Sequence, residues 1–315
     1  MQKIPLIQYL PLTRPKAAKL FLKKLHKADV MSILDLEDSA QDPFSKSRTS
    51  ALKSSARAGL DLISRDLKIN HTSKIYIRIN AIDSEYYEDD INSVISAYKN
   101  GMKITGVFLP KVESYLNIED LYKNLSILNR KIEVVPMIET ESGLNNLHEI
   151  LSSDTINNYF SRIHYGHFDY CLDAKIWPFL DPVHSDFWTV VEKIVNLVQK
   201  FNKTYIHTPF PFTKNEELFW ASSFHLKKLY PSLDFWICTL NSELSLSHQP
   251  KETIPIEISS PHFSKAFLID EANKICKNFL AGRANKRSFS VSNERFIPPH
   301  QYFAAKNYLK NAGSK

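Results

Sequence analysis

The sequence predicts an α/β fold, a (β/α)8 TIM barrel with a C-terminal helical extension. Three observations carry the prediction. Eight short β-rich runs recur, Ile7–Thr13, Val30–Asp38, Lys74–Asn80, Gly106–Glu113, Glu133–Thr140, Arg162–Asp169, Thr204–Phe210 and Asp234–Leu240. Helix-length amphipathic segments lie between most of them, and such alternation builds a parallel sheet that eight repeats can close. Most runs also end in a charged or polar residue, where a barrel opens and carries its chemistry. The strand ends therefore nominate Glu37, Asp38, Arg78, Glu113, Glu139 and Asp169 as working residues.

Each element has a local reason. After the first strand, Arg14-Pro15 opens a helix to about Lys27, since proline suits a first helical turn and Ala18, Leu20, Phe21 and Leu25 form an apolar stripe. The second run is almost continuously apolar until Asp35-Leu36-Glu37-Asp38, as a strand covered on both faces requires. A polar loop with Pro43 leads to a helix over 45–64. Strand three alternates inward and outward, and a helix follows over 88–100. Strand four carries Pro110 near its end, where a barrel rim tolerates it. Strand five is followed by a helix over 143–151. After strand six, Trp177, Pro178 and Pro182 make 172–183 a longer loop, and a helix spans 187–200. Strand seven exits through Pro209 and Pro211 to a helix over 216–229. Beyond strand eight, 242–256 reads as a loop or linker and 264–280 as a closing helix. Arg283, Lys286 and Arg287 make the next stretch basic, and a short helix over 298–310 ends the chain. Residues 1–280 are thus expected to form the barrel. Residues 281–315 form an appendage that packs on the barrel, on another subunit, or over the site.

Bulk properties narrow the partners. The 315 residues are 43% hydrophobic and 23% charged, ordinary for a globular protein with a large core. The net charge of +6 is spread along the chain, which suits a phosphorylated or carboxylated small molecule, and no nucleic-acid recognition motif accompanies it. Cys171, Cys238 and Cys276 are too few and too scattered for a disulfide framework or a zinc site. No signal-peptide pattern and no apolar run of about 18 residues appears, so the expectation is a cytoplasmic protein with no membrane partner. With 7 glycines the chain shows neither G-x-G-x-x-G nor G-x-x-x-x-G-K.

The strand ends suggest a chemistry. Glu139 and Asp169 close consecutive strands, which lie about 5 Å apart in a sheet, so their carboxylates can share one hard cation. Two carboxylates with waters and a chelating substrate suit Mg²⁺, with Mn²⁺ the alternative. Arg78 ends strand three and faces the same mouth, where a guanidinium binds a carboxylate in two-point fashion and stabilises an enolate oxygen. Glu37 and Asp38 stand one strand further round, placed to orient Arg78, hold metal-bound water or move a proton. Arg14 and Lys111 are positioned to meet anionic groups of a substrate. Together the set points to carbon–carbon bond chemistry through the enolate of an α-keto acid. Any one of these residues alone is as well explained as a solvated rim charge, and Arg14 and Lys111 as snorkelling cations. His164, His167 and His207 are more ordinarily structural, and the four tryptophans core.

Five ordered motifs add a resemblance. They are Asp35-Leu36-Glu37-Asp38-Ser39, Arg78-Ile79-Asn80, the acidic stretch of Asp83 and Tyr87-Glu88-Asp89-Asp90, Leu109-Pro110-Lys111-Val112-Glu113, and Ile138-Glu139-Thr140-Glu141-Ser142-Gly143. In this order they resemble the HpcH/HpaI aldolase and citrate lyase β-subunit family, from about Leu10 to about Leu244. The resemblance implies a TIM barrel, Mg²⁺ held by Glu139 and Asp169, substrate bound by Arg78, and a carbon–carbon lyase or aldolase. It also implies homotrimers or hexamers. Many relatives act on CoA or carrier-protein thioesters of citryl, malyl or citramalyl type. The second half departs from the pattern. The strand-six motif, commonly G-T-x-D-L, is here Gly166-His167-Phe168-Asp169-Tyr170, so His167 either narrows the pocket or adds a donor beside Gly166. Tyr205-Ile206-His207-Thr208 and Cys238-Thr239-Leu240-Asn241 replace the usual strand-seven and strand-eight sequences. These changes leave two alternatives open: an aldolase on a non-CoA, for example sugar-derived, substrate, and a non-catalytic barrel acting as a binding subunit.

Overall fold

Period-two alternation decides which side chains fill the barrel. In the computed structural model, which describes residues 4–66, 74–128, 131–240, 245–246, 255–284, 289–292 and 295–313, the expected barrel is present. The chain runs β1 (Leu6–Pro11), α1 (Pro15–Lys27), β2 (Met31–Asp35), α2 (Lys46–Asp66), β3 (Ile75–Arg78), α3 (Tyr87–Lys99), β4 (Ile104–Leu109) and α4 (Tyr115–Leu125). It continues through β5 (Glu133–Ile138), α5 (Glu141–Asn145), α6 (Leu147–Ser152), β6 (Arg162–Tyr165), α7 (His167–Asp173), α8 (Ser185–Lys200), β7 (Thr204–His207), α9 (Glu216–Leu229) and β8 (Phe235–Thr239). All eight strands are parallel, and β1 pairs with β8 to close the barrel. The helices start where local chemistry allows. Pro15 opens α1, Ser114 and Asn117 form a capping box on α4, and Thr140 Oγ1 accepts the Gly143 N–H at α5, each cap worth about 1 kcal/mol.

Two cores result. Outward-facing residues such as Leu34 and Ile77 join Leu22, Leu60 and Ile91 of the helices. Inward-facing Ile7, Ile33, Tyr76, Phe108, Val135 and Trp236 fill the barrel. Gly106 leaves the room that the Tyr76 ring occupies, since a Cβ there would stand 2.8 Å from it. Continuing the inward series by two residues at a time leads from Ile33 to Asp35, from Tyr76 to Arg78 and from Met137 to Glu139. The chemistry therefore stands on top of the core, and Asp35 and Arg78 are direct register partners.

The strand ends differ from the sequence reading in detail. β2 stops at Asp35, so Glu37 and Asp38 lie in the following turn. β6 stops at Tyr165. Gly166 then turns the chain, and Asp169 stands in the first turn of α7, where the helix dipole favours an acid. β4 stops at Leu109, leaving Glu113 exposed beyond it. The three cysteines are free, with Cys171 and Cys238 buried. Most of the 242–256 loop, and Lys286 and Arg287, lie outside the described residues. Among the described residues no helix is long and apolar enough to cross a membrane.

Beyond β8 the chain forms an arm: α10 (Lys265–Ala284), the hairpin β9 (Ser290–Ser292) and β10 (Arg295–Ile297), and α11 (Pro299–Ala312). It has its own small core of Ala272, Ile275, Phe279, Ile297, Tyr302 and Ala305. The arm lies across the loops that follow the strands. Phe44 packs among Phe279, Tyr302 and Phe303, with the Arg283 guanidinium 3.9 Å above its ring. Arg295 forks onto Asp181 at 3.1 and 3.2 Å, the Phe296 N–H donates to Pro211 O, and Trp177 Nε1 donates to Leu268 O. Of the three placements open to the appendage, the structure contains packing on the barrel at its mouth.

Two histidines inside this frame set a pH response. His164 meets Tyr9 Oη at 3.2 Å and the Ile206 carbonyl at 3.1 Å. His207 meets Tyr205 Oη at 3.1 Å and lies against Trp188. Burial pushes both down to about 3. They stay neutral in the fold, while the unfolded chain takes up their protons below about pH 6.5. Stability therefore falls as pH drops from about 6.5 toward 3. Urea unfolding between pH 7.5 and 5 should show this loss, and His207→Asn should flatten the slope by up to about 1.4 kcal/mol per pH unit. An unchanged slope in the variant would assign the acid response elsewhere.

Candidate active site

Arg78 is the centre of the mouth. Its Nε and Nη2 donate to Asp35 Oδ1 and Oδ2 at 2.7 and 2.8 Å, a fork-to-fork pair. Its Nη1 lies 2.8 Å from Glu37 Oε2 and 3.0 Å from Asp38 Oδ2. The guanidinium also sits 4.5 Å over the Tyr9 ring. Three of its five N–H groups thus donate to Asp35 and Asp38, and Glu37 adds an ion pair. Burial opposes each charge here. For Asp35 that cost is outweighed by Arg78, which holds the carboxyl below its ordinary value. Asp38 is likewise lowered despite burial, by Arg78 and His300. Glu37 goes the other way: burial and the neighbouring Asp38 charge push it up to about 8.

The loop bearing these acids is held from beneath. Lys53 of α2 is 2% exposed, and its Nζ donates to the carbonyls of Leu36 and Glu37 at 3.1 and 2.7 Å and to Asn80 Oδ1 at 2.7 Å. Asn80 donates in turn to buried Asp90, which Arg57 pairs from the other side. Burial lowers the Lys53 ammonium even though Glu37 and Asp35 pull it upward.

Opposite stand Glu139, Lys111 and Asp169. Glu139 is buried, and its Oε1 accepts the Lys111 N–H at 3.0 Å. Lys111 adopts a left-handed backbone, φ +52°, which costs a non-glycine residue about 1–2 kcal/mol and here aims its N–H at that carboxylate. Its half-exposed Nζ lies 3.6 Å from Asp169 Oδ1. Burial would lower that ammonium, but Asp169, Glu37 and Glu139 outweigh it and hold it above its ordinary range. Gly166 lies hard against Glu139: a Cβ at 166 would be 2.3 Å from Glu139 Oε2. Its lack of a side chain is what admits the carboxylate. Burial, then Asp169 and Glu37, drive Glu139 well above its usual range. A crowded acid that resists ionisation is the donor set a divalent cation relieves, because the cation's charge favours the carboxylate form.

His300, the second residue of α11, reaches the same place. Its Nε2 is 3.2 Å from Asp169 Oδ1 and 3.8 Å from Asp38 Oδ1, and the two acids raise it to about 9 against the lowering effect of burial. Asp38, Asp169 and His300 are the one group of three donors within 4.8 Å of one another among the described residues.

Of the residues nominated from sequence, Glu37, Asp38, Arg78, Lys111, Glu139, Gly166 and Asp169 converge here. His167 stands at the start of α7, buried, with Nδ1 2.6 Å from Thr208 Oγ1 and no partner for Nε2 among the described residues. Arg14 is exposed before α1, and no ion pair joins it to the acids among the described residues. Asp35, Lys53 and His300 carried no assigned role. Asp35 was legible as the next inward position after Ile33. Lys53 shares a helical stripe with Ala56, Leu60 and Ile63, and a lysine in such a stripe is a signal. Nothing local marks His300.

Comparison with known proteins bears on the family and the fold. The family model described as HpcH/HpaI aldolase/citrate lyase matches residues 6–232. A citrate lyase subunit beta-like protein of Deinococcus radiodurans is 27% identical over 158 residues, 50% of this chain and 50% of that protein. A malyl-CoA/beta-methylmalyl-CoA/citramalyl-CoA lyase of Chloroflexus aurantiacus is 28% identical over 115 residues, 35% of this chain and 32% of that protein. These curated relatives are therefore matched over half their length or less. Among solved structures, a citrate lyase beta subunit from M. tuberculosis, complexed with oxaloacetate and magnesium, superposes with a TM-score of 0.57 at 19% identity. It covers 78% of this chain and 96% of that one.

Proposed function

The chain belongs to the HpcH/HpaI aldolase/citrate lyase family, and on that premise we propose a divalent-cation-dependent carbon–carbon lyase or aldolase that works through the enolate of an α-keto acid or acyl fragment. One observation carries the reading: Lys111 bridges Glu139 and Asp169, through its N–H and its ammonium, across the mouth from the Arg78 cluster. Negative and positive groups thus converge on one opening, as an enolising site requires.

Glu139 and Asp169 are the residues that would hold Mg²⁺. When bound, the ion supplies Lewis-acid stabilisation of developing negative charge. Magnesium and oxaloacetate accompany the M. tuberculosis structure, which supports magnesium as the ion. Arg78 would offer its N–H groups not taken by Asp35 and Asp38 to a substrate carboxylate, while Asp35 keeps the guanidinium plane in position. Lys111 adds a second positive group on the Asp169 side. Glu37, raised to about 8, fits the proton carrier, because general acid–base work is most effective near the operating pH. Asp38, held ionised by Arg78, does not. The name of the C. aurantiacus relative, a malyl-CoA/beta-methylmalyl-CoA/citramalyl-CoA lyase, supports a CoA thioester beside the free acid among the substrates to assay.

The test is solvent deuterium exchange into pyruvate, with and without Mg²⁺, followed by cleavage assays on keto-acid and CoA-thioester substrates. Glu139→Gln and Asp169→Asn should each lower exchange by about two to three orders of magnitude. Exchange that survives both substitutions would sink the proposal.

A further inference from the structure

We infer that His300, together with Asp38, adds a protein donor to the cation that Glu139 and Asp169 would hold, so that the arm completes the site. This rests on the proposal that the mouth holds a divalent ion, and it adds a nitrogen that the barrel itself does not supply.

Geometry is the first support. Neighbouring donors on a six-coordinate ion, each about 2.1 Å from it, lie about 3 Å apart. His300 Nε2 stands 3.2 Å from Asp169 Oδ1 and 3.8 Å from Asp38 Oδ1, and all three donors fall within 4.8 Å of one another. Small side-chain movements would bring them onto one ion. Orientation is the second. Asp38 receives Gln41 Nε2 on Oδ1 at 2.8 Å and Arg78 Nη1 on Oδ2 at 3.0 Å, so its carboxylate is held by outer partners, as ligating carboxylates are. The third is the way the arm is fixed. Pro298 and Pro299 open α11, Phe44 is packed by Phe279, Tyr302 and Phe303, and Arg295 forks onto Asp181. Those contacts set where residue 300 can reach.

The competing account makes His300 an imidazolium that pairs with the two acids and stands where the cation would go. The two accounts predict opposite effects of removing the ring. A ligand's loss weakens binding, whereas a competitor's loss strengthens it. A nitrogen donor also shifts preference toward Mn²⁺, Fe²⁺, Co²⁺ or Zn²⁺ over Mg²⁺, which prefers oxygen.

The experiment uses the full chain and Mn²⁺ alone. Pulsed EPR should show modulation from an imidazole nitrogen in the wild type and lose it in His300→Gln, with Mn²⁺ affinity lower by about tenfold or more. His300→Glu, which restores an anionic donor, should recover affinity without the nitrogen signal. That variant separates a lost ligand from a damaged fold. Mn²⁺ bound in an Asp169-dependent way with no nitrogen signal overturns the His300 assignment and leaves the lyase reading standing. Unchanged or tighter binding in His300→Gln also overturns it. No Mn²⁺ binding by the wild type overturns both.

Discussion

Arg78→Met should cost the protein about 3–5 kcal/mol of stability, because it leaves Asp35, Glu37 and Asp38 without the cation that compensates them. The guanidinium and Asp35 are both nearly sealed from solvent, so water does not replace what is removed. Arg78→Lys keeps the charge but cannot fork onto Asp35 while also reaching Glu37 and Asp38 and lying flat on Tyr9. It should fall between wild type and Arg78→Met in urea unfolding. The pH response discriminates further. In the wild type Asp35 is held below its ordinary value, so its contribution is present above about pH 4 and lost only in stronger acid. In Arg78→Met the same acids are buried without the guanidinium, and Asp35 keeps only the Glu37 and Ser39 N–H groups. Their folded pKa values rise above the unfolded ones, and the variant gains relative stability as pH falls from 8 to 5. The gap to wild type should narrow over that range. Activity should drop by at least about two orders of magnitude in both variants. An Arg78→Met protein within about 0.5 kcal/mol of wild type at pH 8 would show that the cluster is not the electrostatic unit described.

Lys53→Met should have the second largest effect, at a residue that touches no substrate. Methionine fills a similar volume but donates nothing to the Leu36 and Glu37 carbonyls or to Asn80. Hydrogen bonds from a charged group are each worth about 1.5–3 kcal/mol, and the Glu37 carbonyl loses a buried partner. Removing a partly compensated buried charge offsets some of that loss, so about 2–4 kcal/mol is expected in urea unfolding. Because the loop carries Glu37 and Asp38, kcat should fall by about tenfold or more, and the pH profile assigned to Glu37 should move. A merely structural lysine would change the unfolding midpoint and leave the pH profile where it was. Full stability in Lys53→Met would remove the positioning role.

Much of this architecture is written in local patterns. Apolar runs of strand length, separated by amphipathic helices, are legible one segment at a time, and they specify parallel strands covered on both faces, which eight repeats can close into a barrel. The same patterns locate the mouth, so Glu139 and Arg78 could be read as the polar ends of inward-facing rows. Asp169 was legible as a site residue but not as a helical one, because a turn at Gly166 is a matter of three-dimensional crowding against Glu139. The pairing of Arg78 with Asp35 needs strand register, and the lift of Glu37 needs knowledge of what surrounds it. His300 lies 131 positions from Asp169 and 262 from Asp38 along the chain (300 − 169 and 300 − 38). Their meeting depends on an arm folding back across the rim, held by Phe44 and Asp181. Helix and strand periods are short-range properties that residues carry with them. Contacts between distant segments are chosen by packing, and charge states inside a site follow from those contacts, so both emerge only when the chain is folded.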